Sequence, residues 1–150
     1  MQNGKIKEIW NILNTIPDPE IPVISIVELG VVRNVELYNK KHIISITPTY
    51  SGCPATEVFK NDIKKNLEKN NIDNIEIRMV YSPAWTTDWI NNDAKNKLKK
   101  YGIAPPEKNI KCPQCNSIKI ELISEFSSTA CKSLYKCTSC LEPFEYFKCI

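Results

Sequence analysis

No stretch of this sequence is apolar for anything like the ~20 residues a membrane-spanning helix needs; its apolar runs are a few residues long. The opening segment, MQNGKIKEIWNILNTIPDPE, lacks the apolar centre and cleavage site of a secretory signal. A cytoplasmic protein is therefore expected. A basic stripe is also missing. The net charge is only +3, and residues 107–150 carry six Lys against five Glu. That balance argues against a nucleic-acid-binding ribbon, one of the readings a cysteine-rich tail invites. Histidine is nearly absent. His42, the only one, falls at the start of an expected strand, is expected to face solvent, and is not close in sequence to any cysteine. A Cys–His catalytic dyad is poorly supported on that ground.

What remains is ordinary in bulk and unusual in its thiols. A chain of 150 residues with 42% hydrophobic and 25% charged residues suits a soluble globular protein. Its length allows one domain, or a domain of roughly 100 residues with a small appendage. Seven cysteines are present. In a reducing compartment such a number points to metal or thiol chemistry rather than to disulfides.

Along the chain, Ile6, Ile9, Trp10 and Leu13 recur at helical spacing. Pro17, Pro19 and Pro22 stop that helix and leave IPDPEIPVISIVELG as an extended loop or short turn. VVRNVELY and HIISITPT read as two strands joined by a tight hairpin at Asn39-Lys40-Lys41. Alternation in the first strand is imperfect. Pro54 suits the first position of a helix, along which Phe59, Ile63 and Leu67 repeat in steps of four until Asn70-Asn71. NIEIRMVYS is a third strand. A further helix is expected after Ser82-Pro83, with Asp88 in its first turn, lysines in its last turns and Gly102 as its stop. The order α-β-β-α-β-α gives an α+β domain with a three-stranded mixed sheet, its second and third strands parallel across a helical crossover, and helices over one face. Ala104-Pro105-Pro106-Glu107-Lys108 reads as a stiff linker, so two domains are expected, 1–104 and 105–150.

The second of these carries the strongest chemical signal. Cys112-Pro-Gln-Cys115 and Cys137-Thr-Ser-Cys140 are two CxxC turns. Each offers two thiolates, and four sulfurs satisfy one tetrahedral Zn²⁺ with no position left open. A ribbon this small also needs such a staple to fold. The blander reading, four buried cysteines packing as small hydrophobes, leaves the paired spacing unexplained. A single iron would suit the same sulfurs. Cys131, Cys137, Cys140 and Cys149 also form a loose ferredoxin-like set, though with a first gap of five residues where that pattern has four. Such a set would make the chain an electron carrier. If zinc takes the two CxxC pairs, Cys131 is read as a buried thiol and Cys149 as an exposed one.

Cys53 stands alone before the ribbon, just ahead of Pro54. At a helix N-terminus the unpaired N–H groups and the dipole stabilise a thiolate; the plainer reading is a half-buried cysteine in a tight turn. Asp18 and Glu20 lie in a proline-braced loop that could reach that thiol, or could simply cap and solvate the loop. Trp85 and Trp89 flank an expected helix start and read as core residues or as an apolar partner surface.

The segments DPEIPVISIVELGVV and TPTYSGCPA resemble the metal–sulfur cluster assembly family, which includes cytosolic iron–sulfur targeting subunits and SufT-like proteins. That resemblance covers about residues 5–102. With SPAWTTDWI and SEFSSTACKSLYKCTSCLEPFEYFKCI it narrows, essentially end to end, to the accessory subunits encoded with the phenylacetyl-CoA epoxidase of phenylacetate catabolism. The resemblance implies the family's small α/β domain followed by a C-terminal zinc ribbon. It implies a non-catalytic maturation factor rather than the epoxidising enzyme. Such a factor would assist insertion of an iron–sulfur cluster or iron, held transiently, into the oxygenase or reductase subunits as partners. Family positions fall on Asp18, Pro19, Glu20, Cys53 and Pro54, which would make Cys53 the sulfur ligand or relay and Asp18 and Glu20 the residues shaping its site. A second copy of the chain stays open as a further partner.

Overall fold

The computed structural model describes residues 2–49 and 56–148. Cys53, Pro54 and Cys149 lie outside the described residues. By internal contacts the chain divides into two compact units, Met1–Trp85 and Thr86–Ile150.

The first unit opens with α1 (Gln2–Leu13). Ile9 and Leu13 on its apolar face are fully buried, and the helix packs on the strand Val32–Tyr38 and the helix Thr56–Lys69. β1 (Val32–Tyr38) and β2 (Lys41–Ile46) form the expected hairpin. Asn39 and Lys40 both take positive φ, 49° and 64°, as a two-residue hairpin turn whose twist matches its strands requires. The uneven pattern of β1 has a structural cause. Its register shifts between Val32 and Asn34, leaving Arg33 as an extra residue, so Val32 and Val35 can both be buried although strict alternation would separate them.

After α2 (Thr56–Lys69), which buries Phe59, Ile63 and Leu67, the chain returns as β3 (Ile75–Met79). β3 runs parallel to β2, as a helical crossover dictates. The sheet order β1-β2-β3 makes β2 central, with Ile43, Ile44 and Ile46 all buried. Each such side chain stabilises the unit by about 1.5–3 kcal/mol relative to exposure. The fold is thus the α+β class with a three-stranded mixed sheet.

Two features differ from the sequence expectation. No helix starts after Ser82-Pro83. Thr86 caps a single 3₁₀ turn, Thr87–Trp89, and α3 (Asn92–Tyr101) begins only after Asn91, whose Oδ1 accepts the N–H of Ala94 at 2.7 Å. A side-chain cap that close wins over the earlier, Pro-marked start. Gly102, at φ 96°, ends α3 as anticipated. The segment read as the start of a stiff linker is also structured. Ile103–Ala104 forms β4, parallel to the strand Pro143–Phe147, and Tyr146 Oη donates to the carbonyl of Glu107 at 3.1 Å. The 1–104 and 105–150 division therefore cuts between β4 and the strand it pairs with, whereas the contact boundary lies at Trp85/Thr86.

The second unit is a four-stranded sheet of order β4-β7-β6-β5, built from β4, β5 (Ile120–Ser124), β6 (Lys132–Cys137) and β7 (Pro143–Phe147). Residues paired across an antiparallel ladder share a face. Ile120 lies opposite Cys137, Leu122 opposite Tyr135, and Tyr135 opposite Phe144. That face forms the core, with Ala104, Cys112, Cys137, Phe144 and Tyr146 buried together.

Candidate metal centre

The two CxxC turns are built alike. In the first, Asn116 N–H donates to the carbonyl of Cys112, and Cys112 N–H to that of Ser117, both at 2.9 Å. In the second, Cys137 N–H donates to the carbonyl of Glu142 at 3.0 Å, and Cys140 N–H points at Cys137 Sγ, 3.4 Å away. The residue four after the leading cysteine is left-handed in both, Asn116 at φ 61° and Leu141 at φ 66°. Asn tolerates that conformation. Leu pays about 1–2 kcal/mol for it, a strain that persists only where the surroundings fix the turn. Hydroxyls tie the turns together: Ser117 Oγ lies 2.9 Å from Ser139 Oγ, and Thr138 donates to the carbonyl of Lys119 from both N–H and Oγ1 at 2.9 Å.

These turns bring the four anticipated sulfurs into one group. The Sγ atoms of Cys112, Cys115, Cys137 and Cys140 all lie within 4.8 Å of one another, with Cys112–Cys140 at 3.7 Å and Cys115–Cys137 at 3.5 Å. A tetrahedral ion with Zn–S bonds of about 2.3 Å places its sulfurs about 3.8 Å apart. The donor set therefore fits one tetrahedral metal ion.

The protonation behaviour of the metal-free thiols leads to the same fit. The Cys140 N–H, ahead of the opposing effect of burial, lowers Cys137 to about 6. At Cys140 the Glu142 N–H pulls the pKa down, but burial and the thiols of Cys137, Cys112 and Cys115 outweigh it and push the value up to about 12. Cys115 is likewise raised, the Ser117 N–H being outweighed chiefly by Cys137 and burial. One thiolate forms easily and makes the next harder, because like charges at this separation cannot coexist uncompensated. A dication at the centre removes that conflict.

Among the described residues the members of the ferredoxin-like set do not come together. Cys131 immediately precedes β6 and Cys137 ends it, so about 20 Å of extended chain separates them. Cys131 is buried, as expected for a spare thiol, with its Sγ 3.1 Å from Thr129 Oγ1.

In the first unit, Asp18 is 4% exposed, and its Oδ2 accepts the N–H groups of Glu20 and Ile21 at 2.9 and 2.7 Å. This carboxylate holds the proline-braced turn, while Glu20 is half-buried beside it. Thr47, just past the end of β2, is buried and its Oγ1 has no hydrogen-bond partner among the described residues. Trp85 belongs to the core, with Nε1 donating to the carbonyl of Leu29 at 3.0 Å; Trp89 is half-buried. The sequence reading passed over Ser117, Thr138 and Ser139. Their signal was a hydroxyl inside or beside each CxxC.

Two family models match the chain. Residues 6–81 match the iron-sulfur cluster assembly protein model and residues 99–148 the PaaD zinc beta ribbon domain. An Escherichia coli K12 protein named as a candidate subunit of the 1,2-phenylacetyl-CoA epoxidase is 48% identical over 97% of this chain and 94% of its own length. A Bacillus subtilis Fe-S protein maturation auxiliary factor, YitW, is 32% identical over 65% of this chain and 97% of its own. Among solved structures, the DUF59 domain of unknown function from Bacillus anthracis matches with a TM-score of 0.60 at 31% identity, covering 65% of this chain and 93% of that one. With one model over its first half, another over its ribbon and a near full-length relative, the chain belongs to the PaaD family, an iron–sulfur cluster assembly domain joined to a zinc β-ribbon.

Proposed function

We propose that this chain is a non-catalytic maturation factor for a phenylacetyl-CoA epoxidase, working in the reducing cytoplasm and assisting insertion of an iron–sulfur cluster or iron into its oxygenase or reductase subunits. The observation that carries this reading is the pairing, in one chain, of an assembly domain like those of the Fe-S maturation factors with near full-length likeness to an epoxidase subunit. In the ribbon, Cys112, Cys115, Cys137 and Cys140 would hold Zn²⁺ as a closed structural site. Four sulfur ligands leave no open position, so zinc there supplies folding energy rather than chemistry. The cargo, iron or an iron–sulfur cluster, is handled by the first unit. Cys53 is its sole cysteine and is proposed as the sulfur ligand or relay, with Asp18 and Glu20 as the residues that shape its site.

The test is Cys53→Ser in a strain lacking the native factor. Ser retains the size and the capping ability of the side chain. The expected outcome is loss of growth on phenylacetate and loss of iron from the oxygenase or its reductase, with the ribbon's zinc content unchanged. Wild-type growth with full iron loading would remove Cys53 from the mechanism. Elemental analysis of anaerobically purified protein separates the competing electron-carrier reading: a coloured, iron- and sulfide-bearing ribbon would support that reading, and a colourless zinc protein would not.

A further inference from the structure

Beside the metal centre, on the core-side face of the second unit, lies an open groove of about 570 Å³ lined by Lys108, Asn109, Ile110, Lys111, Ile118, Ile120 and Tyr135. Its floor is apolar. Ile110, Ile120 and Tyr135 pack against the cluster that contains Cys112 and Cys137, so the floor is continuous with the metal-braced core. Leu122 stands opposite Tyr135 on the same face and extends that floor toward the outer edge of the sheet, where β5 is the last strand. Two of these side chains are left to solvent, Ile118 at 72% and Leu122 at 44%. Ile118 is the most exposed large hydrophobic among the described residues. A rigid unit that presents aliphatic side chains in a concave surface has a site for another chain.

The charge on the lining is of one sign. Lys108 and Lys111 are exposed, and no carboxylate is among the lining residues. From Ile118 to Leu122 the floor is long enough for four or five residues of extended chain at about 3.3 Å each. We propose that this groove docks an extended, acidic–apolar segment of a protein partner, with its aliphatic side chains at alternate positions on Ile110, Ile118, Ile120 and Tyr135 and its carboxylates at Lys108 and Lys111. A nucleic acid fits less well. Bases dock by stacking on aromatic faces, whereas this floor is mostly isoleucine. The proposal concerns recognition by the ribbon and does not depend on how the first unit handles its cargo.

The test uses the full-length, zinc-loaded chain and a short fluorescein-labelled peptide of alternating Asp and Leu, with the matching Lys–Leu peptide as control, read by fluorescence anisotropy. The acidic peptide should bind, more weakly as salt rises, and the basic one should not. Ile118→Ser, a change at an exposed position, should weaken binding without altering the melting curve. Each of Lys108→Glu and Lys111→Glu should weaken it by up to about fivefold, the upper end of what an exposed ion pair contributes, and the double variant should switch preference to the basic peptide. Lys108 lies away from the ligand-bearing turn, so Lys108→Glu keeps the test valid if Lys111→Glu disturbs the metal site. Equal binding of the two peptides, or binding indifferent to these substitutions, would overturn the proposal. So would a chain dimer that Ile118→Ser converts to monomer, since a second copy would then fill the groove. A single-stranded RNA oligonucleotide that binds with the same dependence on Ile118 and Lys111 would likewise overturn it.

Discussion

Replacing Cys137 with Ser should unfold the second unit while leaving the first intact. Cys137 is fully buried, forms the most acidic of the shifted thiols at about 6, and packs with Cys112, Phe144 and Tyr146. A structural zinc bound by four thiolates contributes about 10–16 kcal/mol of folding free energy at neutral pH, so one ligand's share is about 3 kcal/mol. A unit of this size has a total stability of only a few kcal/mol. Losing one ligand therefore removes most of it. The loss is compounded by the left-handed Leu141, which has no reason to hold its strained conformation once the turn lacks its metal.

The measurement is metal content per chain together with a thermal melt. Wild type is expected to hold one ion. Cys137→Ser should bind substoichiometric metal and lose the ribbon's share of the transition. Cys131→Ser is the matched control, because Cys131 is also buried but stands outside the sulfur group; it should keep its metal and lose about 1 kcal/mol. If Cys137→Ser retains one ion per chain and melts like wild type, the four-sulfur assignment is refuted.

Two further outcomes follow from the same structure. A chain ending at Trp85 should fold without metal, whereas one ending at Ala104 should show rapid amide exchange over residues 86–104, since β4 has lost the β7 it pairs with; slow exchange of α3 in that fragment would restore the 104/105 boundary. Lys132, its side chain 4% exposed, lies 3.5 Å from Glu145, so Glu145→Gln should cost about 3 kcal/mol by stranding a buried cation, whereas Lys132→Met should cost less, because Glu145 is 28% exposed and keeps the Ser128 hydroxyl at 2.8 Å. At Glu145 burial alone would raise the pKa, but the Ser127 and Ser128 hydroxyls and Lys132 together hold it below its ordinary 4.5. Its contribution is therefore present above about pH 4.5 and lost as pH falls through the lower folded value. Acid melts of Glu145→Gln should flatten in that window, and an unchanged pH profile would count against the assigned partners.

The parts of the fold that were legible were those set by local rules. Phe59, Ile63 and Leu67 announce their helix by spacing alone, Asn39-Lys40 announces a turn that needs two positive φ values, and the CxxC pairs announce a site because metal geometry constrains their spacing. What was not legible depended on contacts distant in sequence. Ser82-Pro83 looks like a helix start until Asn91 is seen to cap the real one. Ile103–Ala104 looks like the lead-in to a linker because β4 is two residues long and exists only by pairing with Glu145 and Tyr146. The bulge at Arg33 appears in the sequence only as broken alternation. In the candidate site, the clustering of the four CxxC sulfurs was readable, but the loose Cys131–Cys149 set was a pattern that spacing alone could not reject. It took β6, with Cys131 and Cys137 at opposite ends of an extended strand, to separate them.

That separation narrows where any cluster chemistry can occur. The sulfurs of Cys112, Cys115, Cys137 and Cys140 surround one position at single-ion spacing, and a complete sulfur shell has no site for an exchanging ligand. Three cysteines remain, Cys53, Cys131 and Cys149. Cys131 is 5% exposed and already in contact with Thr129, so an incoming iron or sulfide would have to open the end of β6 to reach it. A thiol that passes cargo must instead be reachable and readily ionised. The second property is the one expected of Cys53 from its place just ahead of Pro54 in the sequence, and the first is the one expected of Cys149; both lie outside the described residues. The two are told apart by thiol alkylation of the zinc-loaded protein near neutral pH. A transfer thiol at Cys53 should react with iodoacetamide along a titration curve whose midpoint lies below the ordinary cysteine value of about 8.5, while Cys149 should follow the ordinary curve. A Cys53 that titrates at the ordinary value, or that does not react at all, would leave the first unit without an activated sulfur and would make docking rather than sulfur chemistry its contribution.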